Sequence, residues 1–219
     1  MSYSILIVDD HKVTALGYQS ILENNDFNLE FEFNICTSLQ EAYKLISNSS
    51  NPKHFDIIFL DRSMPVYEEK NIKSGEELIP LIRKQSELSK TVILTSLTEK
   101  FSIYDVMHKN RPDAMMIKSE IDDENLILCV QTILDNKSYQ SPLVREALKE
   151  EINTKGHFDT VDRQIITLLS KGFRNASIAE QLSLSASAVE KRKSKIKDYL
   201  NVKGNDEEII LESRRLGYI

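Results

Sequence analysis

Over its first two thirds the chain alternates short apolar runs with stretches in which leucine or isoleucine returns at helical spacing. The apolar runs fall at residues 4–8, 29–35, 55–60, 91–95 and 114–117; the helical stretches fall at 14–23, 38–47, 76–85, 101–108 and 122–134. Strand and helix in strict succession, five times over, predict one parallel sheet with right-handed crossovers. Residues 1–136 are therefore expected to form an α/β domain. Pro80 falls in the first turn of the third helix, where a missing N–H costs little.

The pattern then changes. Residues 137–157 are polar, with Ser138, Ser141 and Pro142 near one end and Asn153, Thr154 and Gly156 near the other; they read as an interdomain linker enclosing a short helix at 144–152. From there only helical spacing remains, at 161–170, 175–182, 185–200 and 206–216. Gly172 reads as a stop for the first of these helices and Ser185 as an N-cap for the third. Ser183 and Leu184 alone separate the middle pair, the short connection of a helix-turn-helix. Residues 158–219 are thus expected to be a separate all-α domain of four helices.

Four of the apolar runs end in a polar side chain. Asp9 and Asp10 follow the first, Asp61 the third, Thr95 closes the fourth and Lys118 follows the fifth. In an open parallel sheet the carboxyl ends of the strands border one crevice, so groups far apart along the chain converge there. Each alone reads as an ordinary strand-end residue; their joint placement points to chemistry. A carboxylate that attacks phosphorus meets a dianion, and a divalent cation must offset both charges. Magnesium suits carboxylate, water and phosphoryl oxygens. Asp9 and Asp10 are placed to hold it, and Asp61 to serve as ligand and nucleophile. Lys118 can pair with the phosphoryl oxygens and Thr95 can donate a hydrogen bond to one of them.

Charge sharpens the division into two parts. The formal net charge of −6 over 219 residues hides a count of 16 Lys and Arg against 25 Asp and Glu up to Thr154, and 12 against 9 beyond it. Different partners are expected for the two parts. No apolar run approaches the roughly 20 residues of a membrane span, and the start of the chain has no basic stretch leading into an apolar one. The expectation is a cytoplasmic protein that does not enter membranes. Cys36 and Cys129 sit in apolar patterns without metal-ligand spacing and read as buried thiols.

Positive charge concentrates in the second part at Lys191, Arg192, Lys193, Lys195 and Lys197. On one helix Val189, Ile196, Tyr199 and Leu200 face a core and leave these bases outside. The bland reading is a solvated lysine-rich face. A basic helix after a tight turn also suits the major groove, where phosphate contacts give affinity and base edges give sequence preference.

The motifs "ILIVDDH", "DIIFLDRSMP", "VILTS" and "AMMIKS" resemble the receiver domain of bacterial two-component response regulators over residues 1–136. The resemblance implies a flavodoxin-like (βα)5 fold, a phosphoacceptor at Asp61, magnesium held by Asp9, Asp10, Asp61 and the backbone carbonyl of Ser63, and a sensor histidine kinase or phosphotransfer protein as donor. Met115 stands where that family often has an aromatic switch residue, residues 66–74 lengthen the loop after "MP", and Arg111-Pro112 replaces the familiar lead into the fifth strand. The segment "LLSKGFRNASIAEQLSLSASAVEKRKSKIKDYLNV" resembles the LuxR/NarL-type helix-turn-helix, with Glu190 and Arg192 departing from common family residues. It implies contacts to double-stranded DNA from Lys191, Arg192, Lys193 and Lys195, with Lys197 toward the backbone.

Together these imply a phosphorylation-controlled transcription regulator, dimeric because helix-turn-helix modules usually read two half-sites. Phosphorylation would draw Thr95 inward and shift the segment after it, through Lys109. It would not be an enzyme beyond the transfer onto itself. Two other classes compete: a constitutive DNA-binding protein or adaptor, and a magnesium-dependent phosphotransferase. The latter needs a second acid/base carboxylate two residues after Asp61, where Ser63 stands. A flavin-binding protein is weaker still, because no glycine-rich phosphate loop follows the first strand.

Overall fold

The computed structural model describes residues 2–25, 29–48, 53–154 and 158–219. By their contacts they form two compact units, one of Met1–Leu97 with Val106–Arg145 and one of Thr98–Asp105 with Glu146–Ile219.

The first unit is built on a parallel sheet: β1 (Ser2–Val8), β2 (Glu30–Cys36), β3 (Ile57–Asp61), β4 (Lys90–Thr95), β5 (Ala114–Ile117) and β6 (Tyr139–Gln140), in the order β2-β1-β3-β4-β5-β6. Between the strands run α1 (Lys12–Glu23), α2 (Leu39–Ile46), α3 (Ile79–Gln85), α4 (Lys100–Asn110) and α5 (Asp123–Leu134). Strands covered on both faces carry near-continuous apolar runs, and β3 to β5 do so. Ile57, Phe59, Leu60, Val92, Leu94, Ala114 and Met116 are all fully buried. One face packs α1 and α5 through Ala15, Tyr18, Leu22, Leu126, Cys129 and Ile133. Both cysteines are buried and unpaired, and burial pushes the Cys36 thiol up to about 11.

Helix boundaries follow local chemistry. Ser38 caps α2 by accepting from Glu41 N–H, and Asp122 caps α5 by accepting from Asn125 N–H. Residues 75–78 form a tight turn rather than the expected first turn of α3, which begins at Ile79 with Pro80 in its opening positions. Arg111 takes a left-handed backbone, φ 47°, and closes α4 through its N–H to Met107 O.

The structure adds to two expectations: a sixth, two-residue strand joins the five predicted ones, and part of residues 137–157 takes regular structure. Tyr139–Gln140 pairs with β5 at Ala114 and Met115, and α6 (Pro142–Thr154) follows at once. Ser141 is the reason: fully buried, it donates its N–H to Met115 O and accepts from Ile117 N–H through Oγ, both at 3.1 Å. This completes the backbone pairing of β5, whose edge would otherwise stand open. Residues 155–157, part of the expected linker, lie outside the described residues.

The second unit contains α7 (Thr160–Ser170), α8 (Asn175–Gln181), α9 (Ala186–Leu200) and α10 (Asp206–Arg215). Its core gathers Phe158, Ile165, Ile166, Ile178, Val189, Ile196, Leu200, Ile209 and Tyr218, and it includes Phe101. The Phe101 ring stacks on Tyr218 at 4.7 Å, and Lys100 N–H donates to Gly217 O at 3.0 Å. Gly172, φ 82°, ends α7 as expected, since only glycine takes that conformation without strain. Ser185 caps α9 by accepting from Ala188 N–H.

Candidate functional site: an acidic cleft and a basic recognition helix

The carboxyl ends of β1, β3, β4 and β5 bring the strand-end residues together. Asp9 and Asp61 are buried, and Asp10 is half-buried. Carboxylate oxygens of Asp9, Asp10 and Asp61, with a ring nitrogen of His11, all lie within 4.8 Å of one another. Lys118 Nζ stands 2.9 Å from Asp9 Oδ2 and 2.9 Å from Asp61 Oδ2. Burial works against the lysine charge, but hydrogen bonds and attraction from Asp9 and Asp61 outweigh it and hold its pKa above the ordinary value. Asp9 Oδ1 takes His11 N–H at 2.8 Å, and Asp61 Oδ1 takes Ser63 N–H at 3.1 Å.

The donor set fits a hard cation. Three carboxylates converge, and one oxygen, Asp10 Oδ1, is buried without a well-aligned hydrogen bond although His11 Nδ1 lies 2.9 Å away. Hard divalent ions take such oxygens, and magnesium keeps waters in its remaining positions. His11 joins the cluster without having been singled out from the sequence.

Thr95 is fully buried at the end of β4, in register with Ile117, and Asp61 is in register with Leu94. Its Oγ1 accepts Leu97 N–H at 3.1 Å. Met115 lies two residues before Ile117, on the same sheet face by strand alternation, and is itself fully buried.

Two further residues border the end of β3, one against Asp61 and one against its neighbour Arg62, and neither is legible as a site residue. A Cβ on Gly75 would stand 2.1 Å from Asp61 O, so only glycine fits there. Glu76, buried, places Oε1 2.9 Å from Nε of Arg62, the residue after Asp61. The long loop at 66–74 folds back on itself, Tyr67 bridging Ile72 with Asn71 in a left-handed turn, and the Tyr67 ring meets Tyr43 of α2 edge-on at 5.8 Å.

In the helical unit the predicted bases separate into classes. Asp159 and Asp162 form a reciprocal cap on α7. Arg192 Nη1 reaches both carboxylates at 2.7 Å, and Lys195 Nζ reaches Asp162 at 2.9 Å. Burial is the largest single influence on Asp159 and raises its pKa, but Arg192 and the backbone donors together outweigh it and hold the carboxyl below the ordinary value. Lys193 is buried, bonded to Asn175 Oδ1 at 3.0 Å and Asp206 at 2.7 Å. The assignment of Lys193 to a DNA-contacting face is thereby corrected: its ammonium ties α9 to the first residues of α8 and α10. Lys191 is exposed and Lys197 half-exposed. The exposed stripe of α9 is Ser187, Glu190, Lys191, Ser194, Lys195 and Asp198, at the 3- and 4-residue spacing of one helix face. Ser187 and Ser194 were missed because uncharged residues give no signal in a charge count.

An acidic strand-end cleft in a flavodoxin-like sheet, on one chain with a helix-turn-helix, defines a response regulator. The chain belongs to that family: the profile for the response regulator receiver domain matches residues 5–131, and the profile for bacterial regulatory proteins of the luxR family matches residues 162–211. It is 27% identical over 216 residues to the oxygen regulatory protein NreC of Staphylococcus epidermidis, and 26% identical over 215 residues to NreC of Staphylococcus carnosus, with 93% of each chain covered. Among solved structures it shares its fold with RcsB from Salmonella enterica serovar Typhimurium bound to a promoter with a phosphomimetic, at TM-score 0.62 and 18% identity over 98% of this chain and 99% of that one. The protein is a phosphorylation-controlled, DNA-binding response regulator. No helix among the described residues is long and apolar enough to cross a membrane.

Proposed function

We propose that Asp61 is the phosphoacceptor, that Asp9, Asp10, Asp61 and the Ser63 carbonyl hold Mg2+, and that Thr95 and Lys118 receive the phosphoryl oxygens. The observation that carries this is the Asp61 carboxylate, buried between Asp9, Asp10 and the Lys118 ammonium. The donor is a sensor histidine kinase or phosphotransfer protein. One Asp61 oxygen bonds to phosphorus as the donor's bond to phosphorus breaks, and the leaving group keeps the electron pair. Magnesium, when bound, offsets the charge of the carboxylates and the incoming phosphoryl group. Lys118 is already held charged and can turn from Asp61 to the new oxygens. The Thr95 hydroxyl spends an acceptor lone pair on Leu97 N–H and keeps its own proton to donate. The chain transfers a phosphoryl group onto itself and turns over no free substrate.

Coupling follows the chain. Thr95, drawn toward the phosphoryl group, loosens its turn to Leu97. The next residues, Thr98–Asp105, contribute Phe101 to the core of the helical unit. Phosphorylation thus adds charge that reorders a bistable segment, with Met115 filling the sheet face beside Thr95 as it moves. We assign residues 1–136 as the receiver and residues 158–219 as the DNA-binding domain, acting in the cytoplasm. RcsB has been seen as dimers on DNA, and a dimer reading two half-sites is proposed here. Lys191 and Lys195 face the DNA from the exposed stripe of α9. Arg192 and Lys197 flank it.

The test is labelling by acetyl phosphate with magnesium. Wild type is labelled and Asp61→Asn is not, and chelation of magnesium abolishes the wild-type signal; persistent labelling of Asp61→Asn overturns the assignment.

A further inference from the structure

The exposed stripe of α9 carries, in its first half, an acid among the bases. Glu190 is 59% exposed at its side chain. Its Oε1 is held from two sides, by the Asn175 side-chain amide and by Lys193 Nζ at 3.3 Å. Lys193 is in turn fixed by Asp206 and by Asn175 Oδ1. A carboxylate on a helix surface ordinarily samples many rotamers. This one is clamped by a buried ammonium whose own position is set by two other groups, Asn175 and Asp206.

Placed in a major groove, such a group is an acceptor with no proton to give. Of the base edges there, guanine offers two acceptors and thymine an acceptor and a methyl, so both repel it. Adenine offers its amino group beside the N7 acceptor, which opposes the second carboxylate oxygen. Cytosine offers an amino donor with no acceptor next to it. We propose that Glu190 is a specificity-determining residue that reads a cytosine in each half-site. Lys193 and Asn175 act behind it as positioning residues. The net charge of the stripe is lowered by this acid, as expected of a residue kept for selection and not for phosphate affinity.

This rests on the reading that α9 enters the major groove, and the experiment separates the two. Full-length protein phosphorylated with acetyl phosphate and magnesium is used to select from a random double-stranded pool, as wild type, Glu190→Ala and Glu190→Gln. Wild type is expected to enrich one cytosine per half-site. Glu190→Ala should relax that position by on the order of tenfold and leave the others unchanged. Glu190→Gln, nearly isosteric and so keeping the fold, should move the preference toward adenine, which glutamine can meet at both its amino group and N7. Identical motifs from all three proteins would overturn the inference while the groove reading stands. So would a uniform rise in affinity for every sequence, the mark of relieved phosphate repulsion. A wild type that enriches no sequence would sink the groove reading and this inference with it.

Discussion

Lys118 and Asp61, 57 positions apart in the chain, meet at 2.9 Å between Nζ and Oδ2, and the same ammonium lies 2.9 Å from Asp9. One cation therefore balances two buried carboxylates. Removing one partner from such a group is costlier than never having made it, because the other charge stays buried. Lys118→Met should lower stability by on the order of 3 kcal/mol, read as a fall in Tm. Added magnesium should recover more of the loss in the variant than it adds to wild type. Equal magnesium shifts in both proteins would argue against a shared site.

Thr95 separates acceptance from response. Thr95→Ala keeps the carboxylates and Lys118, so acetyl phosphate should still label it. Its gain in DNA affinity on labelling should disappear, and Thr95→Ser should restore the gain, because serine keeps the hydroxyl. Band shifts with and without phosphodonor read both.

Gly75 touches the backbone of the acceptor. With 2.1 Å between a new Cβ and Asp61 O, Gly75→Ala must displace the end of β3, costing about 1–3 kcal/mol as overpacking does. Slower labelling of Asp61 should accompany the lower Tm; a lower Tm with unchanged labelling would mean that the displacement spares the carboxylate.

Lys191 and Lys193 are two residues apart and should behave oppositely. Lys191→Ala is expected to weaken DNA binding and leave Tm unchanged. Lys193→Ala leaves Asp206, Asn175 and Glu190 without their shared partner and should cost about 2–3 kcal/mol of stability. Thermal melts followed by circular dichroism, beside salt-matched titrations with DNA, distinguish them.

Asp159 supplies a pH test. Its pKa is lowered in the folded protein from 3.8, so its contribution is present above that value and is lost as pH falls through the lowered one. Asp159→Asn keeps a capping side chain but not the charge facing Arg192. Below about pH 4 its stability should fall less steeply than that of wild type.

The sheet was legible because parallel strands buried on both faces read as unbroken apolar runs, and the cleft because four of the five runs end in a group of definite chemistry. The sixth strand was not, since Tyr139 and Gln140 are too few to show a period and are recruited by Ser141 from outside the pattern. Gly75 and Glu76 act through the tertiary approach of their loop to β3, which no local spacing encodes. Lys193 is a different case: it stands four residues after Val189 and three before Ile196, on the apolar stripe of α9. That spacing places it inward despite its charge. The membership of Phe101 in the helical core was out of reach, because helical phase tells which face is apolar and not what covers it.

The inward turn of Lys193, with Arg192 and Lys195 engaged by Asp159 and Asp162, bears on how tightly this protein grips any duplex. Each phosphate neutralised releases condensed counterions, and the logarithm of affinity falls with that of salt in proportion to their number. Five bases in seven positions would predict a steep dependence per subunit. With three of them already matched to carboxylates of their own domain, the dependence should be shallow, and discrimination among sequences rather than bulk attraction should decide where the protein sits on a chromosome.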